Sequence, residues 1–524
     1  MRTFPTRMPE LSKLTSPTYT HQYYVDGTSA SSDVYYDSSW HTMLVGATGA
    51  GGRALFALDV TSPPTSATEF ATFTPTSALW EFTDTAPPVA TDCSAFGAGS
   101  ANYDANDLGY TLAQPSIVRM QNGSWVVIAA NGYNSNNGSA VLFILDAKTG
   151  CIIKKIDTGA KPSTPIPPGR SDKNGLSTPI AVDANNDLSI DTVYAGDLYG
   201  NLWKFDLSGT VASWNISGGS PIFVACTTAG ASCPTANRQP ITSKPNVGAV
   251  RAVGSDQDGV GRMVYFGTGK FFETGDNLLP TLPALPQVQT FYGLWDRGST
   301  ITDRALLQDQ TIDFEGFADT DCGTASCPKT IRSVRVVSKT TVCYAATTVG
   351  CTTSSPLKSG WALNLLVKPG NVAQGERVIS LPLVRRGLVV FSTVIPNPDP
   401  CGDGGESRLM EIDALSGGEA DATPFDVTGN GVIDDKDFIL INGVKHNASG
   451  VNQGIGITKQ PTVIESPTAS IDYKYSSGSS AAMGTVVDRG GSGCVGTTCD
   501  DDDDVGGSTA IPGTRRSWRQ LNAL

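Results

Sequence analysis

Histidine is almost absent from this chain: His21, His41 and His446 are the whole complement in 524 residues. None stands beside a nucleophile or acidic motif in the sequence. There is also no G-x-S-x-G elbow and no phosphate loop, so general-base, acyl-transfer and phosphoryl-transfer chemistry have little support. Cations are outnumbered, with 37 Lys and Arg against 50 Asp and Glu and a net charge of −13. Phosphate backbones are bound by clustered Lys and Arg, so no nucleic-acid partner is expected. No run reaches the ~20 apolar residues of a membrane span, so no transmembrane segment is expected. No long stretch has a 3.6-residue period, so helix should be scarce. The opening Met1-Arg-Thr-Phe-Pro lacks the apolar core of an export signal.

Turn-forming residues are abundant. There are 57 Gly and 32 Pro, with many Ser, Thr, Asn and Asp, which suits a chain that keeps reversing direction. The 11 cysteines fall largely in close pairs, Cys226 and Cys233, Cys322 and Cys327, Cys343 and Cys351, Cys494 and Cys499, with Cys93, Cys151 and Cys401 left over. Zinc would ask for C-x-x-C knuckles or histidine partners, and neither is present. Local disulfides, formed in an oxidising compartment, are the expectation for the four close pairs. Free buried thiols remain the alternative. Disulfides imply export to such a compartment. With no signal at the start, the chain is expected to be a piece of a longer protein whose N-terminal part is missing.

One pattern recurs. A short apolar strand runs into a Gly/Asn-rich turn, and a second strand closes on an aliphatic or aromatic cluster followed by Asp. The copies start at Met43, Trp125, Thr192, Met263 and Leu388 and close on Asp59, Asp146, Asp206, Asp296 and Asp413. Repeated hairpins at this spacing indicate one supersecondary unit used many times. Leu145-Asp-Ala-Lys-Thr-Gly150 resembles the wording of quinoprotein-like propeller blades. The expected fold is all-β: a modified, quinoprotein-like β-propeller of seven blades with loop insertions, a stacked solenoid being the alternative. The expected organisation is a lead-in over 1–14, the propeller over 15–485 with insertions near 213–240 and 317–358, and a Gly/Asp-rich tail over 486–524.

Two loops carry metal-ligand chemistry. Asp183, Asn185, Asp187 and Asp191 stand at positions 1, 3, 5 and 9 of a short loop, with the Ser189 carbonyl at position 7. Calcium takes six to eight hard oxygen ligands, and three carboxylates neutralise it, so Ca2+ is the expected ion. The loop departs from an EF-hand, with Leu188 where the glycine would stand and Tyr194 where the closing glutamate would be. A second candidate places Asp426, Thr428, Asn430, Val432 through its carbonyl, Asp434 and Asp437 at EF-hand-like spacing, with Gly431 at position 6. For both loops a solvated Asx-rich turn is the alternative. The run Asp500 to Asp504 reads as a self-repelling tail.

Several ordered segments together resemble the C-terminal propeller domain of the PilY family: Ser16-Pro-Thr-Tyr-Thr-His-Gln-Tyr-Tyr-Val-Asp-Gly27, Tyr194-Ala-Gly-Asp-Leu-Tyr-Gly-Asn-Leu-Trp-Lys-Phe-Asp206, Tyr265-Phe-Gly-Thr-Gly-Lys270, Gln289-Thr-Phe-Tyr-Gly-Leu-Trp-Asp296 and the ending Arg516-Ser-Trp-Arg519. The resemblance implies a calcium-switched, non-enzymatic factor for type IV pilus biogenesis that opposes retraction and supports surface adhesion and twitching. It implies pilins and minor pilins as partners, with host or abiotic surfaces beyond them. The implied location is the bacterial cell surface, at the pilus tip or associated with the outer membrane. The family's calcium pattern D-x-N-x-D-x-x-x-D falls on Asp183, Asn185, Asp187 and Asp191, with Ser189 at the backbone-ligand place. No Arg-Gly-Asp tripeptide is present, so integrin binding is not implied. Two other classes stay open: a periplasmic quinoprotein-like oxidoreductase, which the absence of adjacent cysteines disfavours, and a generic extracellular binding propeller with structural calcium.

Overall fold

The computed structural model describes residues 8–489, apart from 63–76, 86–92, 94–102, 163–172, 231, 250–260, 281–284, 322–326, 347, 368–369, 371, 400–401 and 467–470. Among these residues the only helical turns are short 3-10 segments, and no helix is long and apolar enough to cross a membrane. The chain divides into two compact units, Met1–Ile222 and Phe223–Leu524.

The first unit contains three antiparallel meanders in which each strand pairs with its sequence neighbour. The first is Ala30–Tyr36, Ser39–Ala47, Ala54–Asp59 and Ala78–Thr83. The second is Ser116–Arg119, Trp125–Ala130, Val141–Asp146 and Ile152–Asp157. The third is Ile180–Val182, Thr192–Gly196, Asn201–Asp206 and Asn215–Ile216. Such four-stranded meanders are the unit of a propeller; a solenoid would instead stack parallel strands from successive repeats.

The central strands of the second meander are apolar at every position up to the closing Asp146 because both faces are covered. Val127, Ala129, Val141, Phe143 and Leu145 join one core cluster with the first meander. Val126, Ile128, Leu142 and Ile144 join another with the third. Alternate side chains of one strand point to opposite faces, so a run buried on both sides loses its polar alternation. Asp37 and Ser38, at φ 50° and 62°, form the tight turn between the paired residues Tyr36 and Ser39.

In the second unit one ten-stranded sheet holds two four-stranded runs. One is Asn246–Ala249, Arg262–Gly267, Thr290–Asp296 and Gly360–Val367. The other is Leu383–Arg385, Leu388–Ser392, Leu409–Asp413 and Gly450–Val451. The antiparallel pair Gln308–Gly316 and Val334–Val337 joins them, and its first strand lies parallel to Gly360–Val367. Val334–Val337 is fully buried, so the segment 317–358, expected as a loop insertion, contributes a core strand. A further sheet, Thr462–Glu465, Ile471–Ser477 and Met483–Arg489, ends the described chain.

All five recurring segments fall on the second and third strands of a four-stranded run. Each closing aspartate pairs with the preceding strand: Asp59 with Met43, Asp146 with Val126, Asp206 with Thr192, Asp296 with Arg262, and Asp413 with Leu388. The aspartate is there to cap the turn that follows. Asp146 accepts from the Thr149 N–H and hydroxyl at 2.8 and 2.6 Å, and Asp413 from the Ser416 N–H and hydroxyl at 2.6 and 2.7 Å. Each of these two turns receives an indole. Trp80 Nε1–H donates to the Ala147 carbonyl at 2.7 Å, and Trp361 Nε1–H to the Ala414 carbonyl at 3.0 Å. The ring in each case lies against the glycine that ends the turn, Gly150 or Gly417.

Cys226–Cys233 and Cys343–Cys351 are disulfides, as the spacing suggested. Cys327 is disulfide-bonded, while Cys322, Cys401, Cys494 and Cys499 lie outside the described residues. Cys93 and Cys151, which no spacing had matched, are bonded across 58 residues.

Gly150 and Gly159 provide a controlled comparison. Both have left-handed backbone, φ +71° and +70°, but a Cβ on Gly150 would lie 2.6 Å from Trp80, whereas nothing lies within 4 Å at Gly159. Gly159→Ala should cost about 1 kcal/mol of unfolding free energy, the backbone penalty alone. Gly150→Ala should cost at least about 2 kcal/mol more, through displacement of the indole. Urea titration of the two variants checks this, and equal costs would mean that the indole contact contributes nothing.

Candidate metal centre

The loop 183–191 hangs between Ile180–Val182 and Thr192–Gly196, which pair with Val182 opposite Thr192. That pairing brings the loop's two ends together. Asp191 is almost fully buried, and both its carboxylate oxygens accept from the Ala184 N–H at 3.2 Å. Ile190 N–H donates to the Arg119 carbonyl at 2.8 Å, fixing the loop to the neighbouring meander.

Inside the loop the side-chain oxygens turn inward. Asp183 Oδ1 accepts from the Asp187 N–H at 3.2 Å and Oδ2 from the Leu188 N–H at 2.8 Å. Asn185 Oδ1 accepts from the Asp187 N–H at 3.0 Å, and Asp187 Oδ1 from the Ser189 N–H at 2.8 Å. Two residues, Asn186 and Leu188, are held left-handed at φ 61° and 67°. Asn tolerates that conformation, but a leucine there costs on the order of 1–2 kcal/mol. Leu188 is also 69% exposed, so burial does not repay the strain. Backbone strain of this kind concentrates at binding sites, and here it aligns successive N–H groups on Asp183.

The second loop, 426–437, has the same plan at its start. Asp426 accepts from the N–H groups of Gly429 at 2.6 Å, Asn430 at 3.3 Å and Gly431 at 2.7 Å. Its end differs. Asp437 is fully buried and accepts from the N–H groups of Val427 at 3.0 Å, Thr428 at 3.2 Å and Asp434 at 3.0 Å, and from the Thr428 hydroxyl at 3.0 Å. Burial raises the Asp437 pKa above the ordinary aspartate value, although those N–H groups oppose the shift. Asp434 caps the 3-10 turn Asp435–Asp437 by accepting from the Lys436 N–H at 2.8 Å. A strand, Ile439–Ile441, follows where an EF-hand would carry a helix. Asn430 Oδ1 accepts from the Val432 N–H at 2.8 Å, and the Val432 side chain is exposed.

Both loops offer oxygen donors of the kind a hard cation takes, and the first gathers Asp183, Asn185, Asp187, Ser189 and Asp191 within nine residues. Among the described residues no group of three or more His, Cys, Asp or Glu side chains is arranged to hold a metal. The carboxylates of both loops instead hold their own loop's N–H groups. Coordination at the first loop would therefore require Asp183 and Asp187 to give up those N–H groups. The run Asp500 to Asp504 lies outside the described residues.

One arrangement escaped the sequence. Ser39 Oγ lies 2.8 Å from His41 Nε2, and His41 Nδ1 lies 2.9 Å from Asp59 Oδ2. Ser39 and His41 share a strand face and Asp59 reaches in from the next strand, a relation visible only once the pairing is known. Burial would raise the Asp59 pKa, but hydrogen bonds from Thr61, His41 and Tyr36 outweigh it and hold the carboxyl below its ordinary value. The connectivity is that of a charge-relay triad. Ser39, however, is exposed on a hairpin, with neither the nucleophile elbow nor a helix N-terminus to supply an oxyanion site.

The description "PilY1 beta-propeller domain" belongs to the family model that matches residues 6–316. A protein of Xylella fastidiosa named as a homolog of the type IV pilus biogenesis factor PilY1 is 40% identical over 421 residues, 78% of this chain and 24% of that protein. The type IV pilus biogenesis factor PilY1 of Pseudomonas aeruginosa is 34% identical over 477 residues, 85% of this chain and 35% of that protein. The chain thus spans about a quarter to a third of the length of these relatives. The crystal structure of the Pseudomonas aeruginosa PilY1 C-terminal domain matches with a TM-score of 0.65 and 31% identity, covering 88% of this chain and 84% of that one.

The two loops should respond differently to loss of a carboxylate in metal-free buffer. Asp437→Ala strands several buried donors and should cost about 2–4 kcal/mol. Asp183→Ala releases two donors near the surface and should cost under about 1 kcal/mol. Chemical denaturation in the presence of a chelator measures both, and a larger cost for Asp183→Ala would reverse this account of the two loops.

Proposed function

The chain belongs to the PilY1 β-propeller family, and from that premise we propose that it is a calcium-binding, non-enzymatic part of a type IV pilus biogenesis factor. In this reading it opposes pilus retraction and supports surface adhesion and twitching motility. Its partners are pilins and minor pilins, with host or abiotic surfaces beyond them. It acts at the bacterial cell surface, at the pilus tip or associated with the outer membrane.

The observation that carries the calcium assignment is the strained 183–191 loop. It keeps an exposed leucine at φ 67° while directing five oxygen-bearing residues around one short turn. Calcium would be held by Asp183, Asn185, Asp187 and Asp191 with the Ser189 carbonyl, and it would supply charge that stiffens the loop between two strands. The 426–437 loop is the weaker candidate, because Asp434 and Asp437 already serve its internal capping.

Asp187→Ala is the cleanest test, since Asp187 is exposed and its carboxylate accepts from Asn185 and Ser189 of the same loop. Wild-type chain should bind calcium in titration calorimetry and gain about 2.7 kcal/mol of stability at a hundredfold excess over Kd. The variant should lose both effects while folding normally without calcium, and bacteria carrying it should show altered surface piliation. Unchanged affinity would remove the 183–191 loop as the site. The non-enzymatic reading has its own check: the chain should not turn over an activated ester, and turnover abolished by Ser39→Ala would overturn it.

A further inference from the structure

The hairpin formed by Ile471–Ser477 and Met483–Arg489 turns an unusually polar face inward. Asp472, Lys474 and Ser476 alternate on one strand, and Asp488 stands on the other. Lys474 pairs with Val486 in the ladder, so Asp488, two residues on, is its diagonal neighbour on the same face. Across from them Glu411 projects from the centre of Leu409–Asp413.

The Lys474 ammonium donates to Glu411 Oε1 and to Asp488 Oδ2. The three side chains are 1%, 0% and 6% exposed, so solvent is excluded from the contact. Its surroundings are apolar: Val486 opposite Lys474, Val390 opposite Glu411, and Phe425 bridged to Asp488 belong to one core cluster. Asp472, paired with Asp488 in the ladder, is already neutralised by Arg385 and Arg386. One oxygen of each carboxyl, Glu411 Oε2 and Asp488 Oδ1, is buried without a hydrogen-bond partner. Two carboxyls thus share one lysine in a site where an ion pair is costly and an unpaired charge more so.

We propose that Lys474 and Asp488 are joined by an intramolecular amide bond, formed spontaneously within the folded chain and with Glu411 as the proton carrier. The ammonium first gives one proton to Asp488, leaving a neutral amine against a protonated acid, with the Glu411 carboxylate beside them. Lys474 Nζ attacks Asp488 Cγ. Glu411 takes the proton from the attacking nitrogen and returns it to the departing oxygen of Asp488. One C–N bond forms, one C–O bond breaks, one water leaves, and nothing is oxidised or reduced.

The site favours each step. Burial, and then the charge of Asp488, push the Glu411 pKa well above that of an ordinary glutamate, so it can carry the proton to be delivered. Burial by itself would lower the Lys474 pKa, but the two carboxyls hold it up, so amine and acid must exchange their proton inside the site. Fixed contact replaces a bimolecular encounter. The neutral amide removes buried charges from an apolar interior.

Mass spectrometry of the purified chain decides the matter. Trypsin cleaves after a free lysine, so an unlinked chain yields peptides 460–474 and 475–489. The linked chain should resist cleavage after Lys474 and yield one peptide, 460–489, lighter by the mass of one water. In Glu411→Gln the bond should be lost, with cleavage after Lys474 and full peptide mass restored. Full mass in the wild-type chain would overturn the proposal. So would a link from Lys474 to peptide 409–436, because Glu411 would then be the acyl partner. Retention of the bond in Glu411→Gln would overturn the role given to Glu411. None of these results depends on calcium.

Discussion

An apolar sheet face must be covered, and among the described residues there is no α-helix to lie against one. Sheet therefore has to cover sheet, and much of the sequence follows from that constraint. The inner strands become apolar on both faces, as Val126 and Val127 show by facing different clusters. The turns between strands must then let neighbouring four-stranded runs approach closely. Trp80 and Trp361 fill that role, each lying over a glycine and donating its indole N–H to the carbonyl of an alanine in the turn. The aspartate opening each turn fixes the carbonyl that the indole needs, so turn chemistry and sheet packing form a single device.

What could be read from the sequence was what is local. A closing aspartate and the threonine or serine behind it lie within a few residues, as do the paired cysteines 226 and 233, so their relation survives in the linear pattern. The seam between Gln308–Gly316 and Gly360–Val367 joins segments far apart, and no periodicity announces which strand will lie beside which. Cys93 with Cys151, and Ser39 and His41 with Asp59, are likewise long-range relations. In each, the partners are brought together by pairing that must be known first. Lys474 left a faint trace, as a lysine at an inward position of an alternating strand, but a lone lysine in such a pattern looks like an exposed one.

The two oxygen-rich loops separate for a related reason. Spacing alone brings the oxygen-bearing residues of the 183–191 loop into one short turn, because its ends are clamped by one strand pair. Spacing also fits the 426–437 loop to an EF-hand, but whether a helix or a strand follows depends on the surrounding sheet. With Ile439–Ile441 drawn into pairing with Asp319–Thr320 and Val444–His446, the closing aspartate is committed to backbone donors.

The parallel seam of the ten-stranded sheet has a kinetic consequence. The meanders of the first unit join strands that follow one another closely, so each can zip up as soon as its own segment is available. Gln308–Gly316 finds its antiparallel neighbour at Val334–Val337, but its parallel partner at Gly360–Val367 becomes available only later in the chain. Until then one edge of that strand presents unsatisfied N–H and C=O groups. Loop closure across such a gap must precede the contacts that reward it. The second unit is therefore the slower to mature, and the interval before that seam closes is when the chain is most open to mispairing with other strands.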